Sequence, residues 1–197
     1  DRMDARLARF ARRVKMALSY PGRVRCNAYY SPIGAGFGTH YDARIATTLQ
    51  LVGRKTWRHA REPGVLWPRS QARYPNRTPP GKPLEPWEDV PQAPLESFVE
   101  VTLEPGDVLM LPAGTWHSAA ASGGESLAIN LAFEPFDALS FVVGLLRTRL
   151  EPRPAWRGLP PARQRDAGDP HPLGGLLSEL IEELRALDGD PFEVWKA

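Results

Sequence analysis

Residues 97 to 133 alternate apolar runs with turn signals: SFVEVTL, EPGD, VLMLP, AG, TWHSAAA, SGG and SLAINLAF. Runs joined by so few residues are antiparallel neighbours, because a parallel crossover needs roughly a dozen residues or more. A series of them predicts a β-sandwich or barrel. The same grammar occurs upstream. VRCNAYYS (24–31), ARIATTLQLVG (43–53) and KTWRHA (55–60) read as strands, with Gly53 expected to form a hairpin-like turn between the last two. A chain of 197 residues is long enough to bury one sizeable core of this kind.

The flanks are different. RMDARLARFARRVKMAL (2–18) spaces Met3, Leu7, Phe10, Val14 and Leu18 at helical intervals with arginines between them, which predicts an amphipathic helix ended by SYPG. Residues 61 to 96 are rich in proline and poor in periodicity, the mark of a functional or disordered loop. Trp67 and Trp87 within it favour an ordered lid or packed insertion. DALSFVVGLLRTRL and GGLLSELIEELRALDGDPFEVW regain helical spacing on either side of a connector at 152–172. The domain reading is a barrel with its N-terminal helix over 1–136 and a helical region over 137–197.

A net charge of +2 gives no reason to expect nucleic acid, and the basic excess of the first 25 residues reads as a solvated helix face. The single cysteine, Cys26, rules out an internal disulfide and is compatible with a reducing, cytoplasmic setting. No run approaches the length of a membrane span and no signal-peptide pattern opens the chain, so a soluble protein without membrane contact is expected.

Chemistry enters with GFGTHYD. Alternate residues of a strand project to one face, so His40 and Asp42, placed at a strand start, aim imidazole and carboxylate at one point. LEPGDVLMLPAGTWH delivers His117 after a strand and a tight turn, a position from which it can complete the set. Two imidazoles and a carboxylate on one side of a metal suit non-haem Fe(II) and O₂ chemistry, whereas a histidine on a strand is otherwise a satisfied polar residue. His59 and His171 read as surface residues. GAGFG (34–38) is no phosphate cradle, since no Lys-Ser/Thr follows, and lets backbone pass close to metal and substrate. Tyr29, Tyr41 and Trp116 either line a pocket or fill the core. Ser31, Ser118 and Ser126 lack triad partners in order, so nucleophilic catalysis has no support.

The blocks NAYYSPIGAGFGTHYDARIATTLQLVGRKTW and LEPGDVLMLPAGTWHS resemble the Jumonji C (JmjC) cupin oxygenases, most of all the ribosomal-oxygenase branch, over roughly residues 24 to 134. The resemblance implies a mainly β fold, a double-stranded β-helix of the jelly-roll or cupin type carrying an N-terminal helix and C-terminal helices. It implies an enzyme that uses Fe(II), 2-oxoglutarate and O₂ to hydroxylate a protein or peptide side chain or a small amino-acid-like molecule. His40, Asp42 and His117 match the family's iron ligands. Lys55 matches the basic residue that pairs with the distal carboxylate of 2-oxoglutarate, the alternative being an exposed turn lysine. Asn27 matches an asparagine near the cosubstrate, and Asn130 lies on a late strand where polar residues face the pocket; either could instead be a strand-end hydrogen-bonding residue. The C-terminal helices are similar to a dimerisation region, which implies a homodimer. Against the hydroxylase stand a non-catalytic metal-binding cupin module and a cupin enzyme without 2-oxoglutarate.

Overall fold

The computed structural model describes residues 4–75, 90–158 and 174–186. Among the described residues the sheet has seven strands: β1 (Val24–Ser31), β2 (Gly36–Tyr41), β3 (Ala46–His59), β4 (Ala72–Arg73), β5 (Val99–Leu103), β6 (Val108–Leu111) and β7 (His117–Phe133). Every pairing is antiparallel. The long strands β3 and β7 pair along most of their length and form its spine. At one end the order is β4-β2-β7-β3-β5; at the other β1 flanks β7 and β6 flanks β3. Two strands shared between two sets of neighbours curl the sheet into an antiparallel half-barrel, the cupin architecture.

Two expected turns are absent. Gly53 does not reverse the chain but sits inside β3, and SGG sits inside β7. The register between these strands shifts between Gln50 and Val52 and again between Val52 and Arg54. Gly53, Gly123 and Gly124 adopt positive φ at this irregularity, a bulge-like kink that bends a strand without ending it. A bulge uses the same residue as a hairpin, and only the partner strand tells them apart.

Helix α1 (Ala5–Ala17) begins where the Asp4 carboxylate accepts the Arg6 amide at 2.7 Å. Its Leu7, Phe10, Ala11 and Val14 pack on Cys26, Leu131 and Phe133 of the sheet's outer face, with Cys26 fully buried. Leu18, expected on the apolar stripe, lies past the helix end and is exposed.

The described parts of the proline-rich segment are ordered against the sheet. Ala72 and Ala93 join Tyr41, Ala60 and Trp116 in a buried cluster that Val65 and Tyr74 extend. β4 pairs with the end of β2, and the Tyr74 amide continues the ladder to the Thr39 carbonyl at 2.8 Å. Trp67 takes no part in this: it is 89% exposed, so small side chains that fit beneath a strand end anchor the segment. Trp87 and His171 lie outside the described residues.

The chain divides into two compact units, Asp1–Pro135 and Phe136–Ala197. In the second, α3 (Pro154–Arg157) is tied to α4 (Gly174–Arg185) by Arg153, which pairs with Glu179 and Glu183, and by Trp156, which donates to Glu179 at 2.7 Å, while α2 (Ala138–Leu150) reaches α4 through Arg149, 3.6 Å from Glu183. No helix among the described residues is long and apolar enough to cross a membrane.

Candidate metal centre and its cavity

The inner face of the sheet surrounds a cavity of about 390 Å³. Small side chains on the central strand open it. Ala119 on β7 is in register with Phe37 on β2 and with Trp57 on β3, and Ala128 stands between Tyr29 on β1 and Gln50 on β3. Residues directly opposite one another share a face of the sheet. An alanine between two large neighbours therefore leaves volume where a leucine would fill it.

His40 and His117 meet by the same rule. They are in register across β2 and β7, with ring centroids 4.3 Å apart. β2 ends at Tyr41, so the His-x-Asp pair stands at a strand end, the strand being built from GFGTHY itself. Alternation still applies: Tyr41 is fully buried behind the sheet while His40 and Asp42 line the cavity. His40, Asp42 and His117 each offer a donor atom, all within 4.8 Å of one another. Gly36 enforces the approach of the strands, because a Cβ there would lie 1.8 Å from the Ala119 carbonyl oxygen. The glycine-rich run thus serves strand packing, and Gly38, which lines the cavity, is the member that leaves open space there.

The donor set fits a cation. His40 Nδ1 is 2.7 Å from the Gly38 carbonyl and His117 Nδ1 is 2.8 Å from the Thr115 carbonyl. A carbonyl only accepts, so both Nδ1 atoms donate and both Nε2 lone pairs remain for a ligand. Burial, and after it the neighbouring His40, hold the His117 imidazole down at about 4, so that ring is neutral at pH 7. Trp57 stacks on it at 5.7 Å and steadies its orientation.

Lys55 is 2% exposed and lines the same cavity from mid-β3, which excludes the exposed-turn reading. Its Nζ donates to Ser31 Oγ at 3.1 Å and lies 5.4 Å from the Phe37 ring centre, and burial pushes its pKa down. Among the described residues no carboxylate pairs with it. A buried ammonium held by one hydroxyl and one ring face is under-compensated, and it fits a ligand that brings an anion.

Asn130 lines the cavity and donates to the Thr47 carbonyl at 2.6 Å. Asn27 is in register with it on β1, but the cavity wall does not reach it. Tyr29 lines the cavity, whereas Tyr41 and Trp116 belong to the core. Ser126 holds the fully buried Gln50 amide at 2.8 Å. His59 is not the surface residue expected from its arginine-rich surroundings. It is half-buried, in register with His117, and its Nδ1 donates to the Ala60 carbonyl at 2.8 Å. Arg44 and Arg73 also line the cavity, and sequence reasoning had passed over both. Arg44 follows the end of β2 in a bend, where strand alternation no longer fixes the direction of a side chain. Arg73 gave no local signal, because its position depends on a two-residue pairing with β2.

Residues 3–139 match the JmjC domain family. The chain belongs to that family. The Bacillus subtilis (strain 168) protein YxbC is 31% identical over 196 residues, which cover 93% of this chain and 57% of YxbC. Ribosomal oxygenase 1 of Rattus norvegicus is 36% identical over 108 residues, 54% of this chain and 16% of that protein. The ribosomal oxygenase YcfD of Escherichia coli, solved in complex with cobalt and 2-oxoglutarate, superposes with a TM-score of 0.52 at 19% identity, over 96% of this chain and 45% of that one. That likeness is one of fold. The chain spans little more than half of YxbC and a far smaller share of the rat enzyme.

Proposed function

We propose that this JmjC protein is an Fe(II)- and 2-oxoglutarate-dependent oxygenase that hydroxylates a C–H bond of a protein or peptide side chain or of a small amino-acid-like molecule. The observation that carries the reading is the under-compensated Lys55 ammonium in the same cavity as the His40, Asp42 and His117 donor set. When bound there, Fe(II) with 2-oxoglutarate and O₂ supplies oxidising chemistry in which R–H becomes R–OH while 2-oxoglutarate becomes succinate and CO₂.

The chain's own groups have separable tasks. His40 and His117 present neutral nitrogens and Asp42 one negative charge, a set that leaves other coordination positions open. The Gly38 and Thr115 carbonyls lock both imidazoles in the ligating tautomer. Lys55 offers a charge-assisted hydrogen bond to the far carboxylate of the cosubstrate. Phe37 and Trp57 wall the cavity and keep water from the reacting centre. A protein substrate has support in the names of relatives, which include ribosomal oxygenases and an NO66 histidyl-hydroxylase. Self-association through α2 and α4 is a separate proposal, supported by the exposed Leu139, Val143, Leu177 and Ile181.

Calorimetric titration of 2-oxoglutarate into anaerobic, Fe(II)-loaded protein tests the reading. Binding is expected at roughly micromolar affinity, and Lys55→Ala is expected to weaken it far more than it weakens metal binding. No binding, or binding indifferent to Lys55→Ala, rejects the proposal. His40→Ala and Asp42→Ala are each expected to abolish metal uptake, and full metal stoichiometry in either variant removes the ligand assignment.

A further inference from the structure

We infer that Arg44 and Arg73 form an anion-binding rim beside the metal triad, and that the molecule oxidised carries a carboxylate close to the carbon that is attacked. The inference rests on the oxygenase reading and narrows its substrate class.

Among the described residues the cavity wall carries three fixed cations, Lys55, Arg44 and Arg73, against one carboxylate, Asp42. A bound divalent metal increases the imbalance, and a dicarboxylate spanning metal and Lys55 offsets only that part of the cavity. The two guanidinium groups lie elsewhere. Lys55 is buried on mid-β3, whereas Arg73 is exposed on β4 and Arg44 half-buried between β2 and β3. Neither arginine is paired with a carboxylate among the described residues, although Arg25 and Arg54 on the same sheet each hold a glutamate at 2.8 and 3.0 Å.

Their placement is built, not incidental. Arg73 is directly opposite His40 in the β2–β4 ladder, and Ala72 beside it is buried in the core cluster, so backbone pairing sets its position. Arg44 lies in the short bend that links β2 to β3, two residues past Asp42, and lines the same cavity. Gly38 lines the same cavity, and a Cβ there would meet no atom within 4 Å. A guanidinium matches a carboxylate through two parallel N–H donors, and two of them beside one opening repel a protonated lysine or arginine. This charge pattern is thus opposite to what a lysine-directed enzyme would use, a contrast with the relatives named as lysine-specific demethylases.

The test uses the full chain loaded with Mn(II) and 2-oxoglutarate. Three labelled peptide pools, alike except that their variable positions are acidic, basic or neutral, are titrated directly, with free aspartate and glutamate as a separate arm. The acidic pool or the free dicarboxylic amino acids are expected to bind at least about tenfold more tightly than the basic pool; which of the two does so tells a peptide from a small-molecule substrate. The double variant Arg44→Glu/Arg73→Glu is expected to invert the preference, and Arg44→Lys/Arg73→Lys to retain its sign, a pattern that mere loss of folding cannot produce. Equal binding of acidic and basic probes by the wild type, or an acidic preference that survives charge reversal, overturns the inference. If the wild type binds no 2-oxoglutarate in the loading step, the oxygenase reading itself fails; normal loading without an acidic preference removes only the rim.

Discussion

Lys55 sets stability against function at a single residue. Its ammonium is buried with one hydroxyl partner, and burial lowers its pKa below the ordinary 10.5. The folded state therefore holds that proton less readily than the unfolded chain does. Below the lowered value the charge weighs fully against folding, and stability rises as pH climbs through that value toward 10.5. Lys55→Met, which keeps the length and removes the charge, is expected to stabilise the metal- and 2-oxoglutarate-free protein by about 1 kcal/mol at pH 7. The advantage is expected to narrow as pH rises toward 10.5. Urea unfolding of both proteins from pH 7 upward measures this, and an advantage that does not change with pH would show that the charge is not its source. The same variant is expected to lose 2-oxoglutarate binding by about tenfold or more.

Elements act on the site through glycines at close approaches. Gly53 has φ +67°, and a Cβ there would lie 1.8 Å from the Glu125 carbonyl oxygen. Gly53→Ala is accordingly expected to cost about 2 kcal/mol or more, read by chemical denaturation. Gly36→Ala meets the Ala119 carbonyl at the same 1.8 Å and forces β2 away from β7. Because that pairing aligns His40 with His117, metal affinity is expected to fall by about tenfold or more, although the substituted residue touches no metal. Unchanged metal affinity in a folded Gly36→Ala protein would mean that the strands realign without it. The runs of β1, β5 and β6 were legible because apolar stretches bounded by turn residues favour strands. The continuity of β3 and β7 was not, because a glycine at positive φ serves a hairpin and a bulge equally well.

For the whole molecule, every group assigned to the cavity lies within Asp1–Pro135. A chain ending at Pro135 is expected to keep 2-oxoglutarate affinity within about threefold of the full chain; a larger loss would mean that Phe136–Ala197 supports the site. Sedimentation of the two chains tests the separate proposal about self-association, and a dimer that survives the deletion excludes α2 and α4 as its surface. The sequence by itself determined the strand-rich class, the amphipathic N-terminal helix, and His40, Asp42, His117 and Lys55 as candidates. The class, the helix and the three candidate ligands rest on local pattern, alternation and helical spacing, whereas Lys55 was singled out only by the resemblance of its block to the JmjC family. Tertiary structure alone decided that Lys55 is buried with no carboxylate partner among the described residues, that His59 lies beside His117, and that Arg73 joins the cavity wall. Burial, cross-strand register and the pairing of β4 with β2 are made by residues remote in sequence, and no local pattern encodes which distant strand will lie alongside.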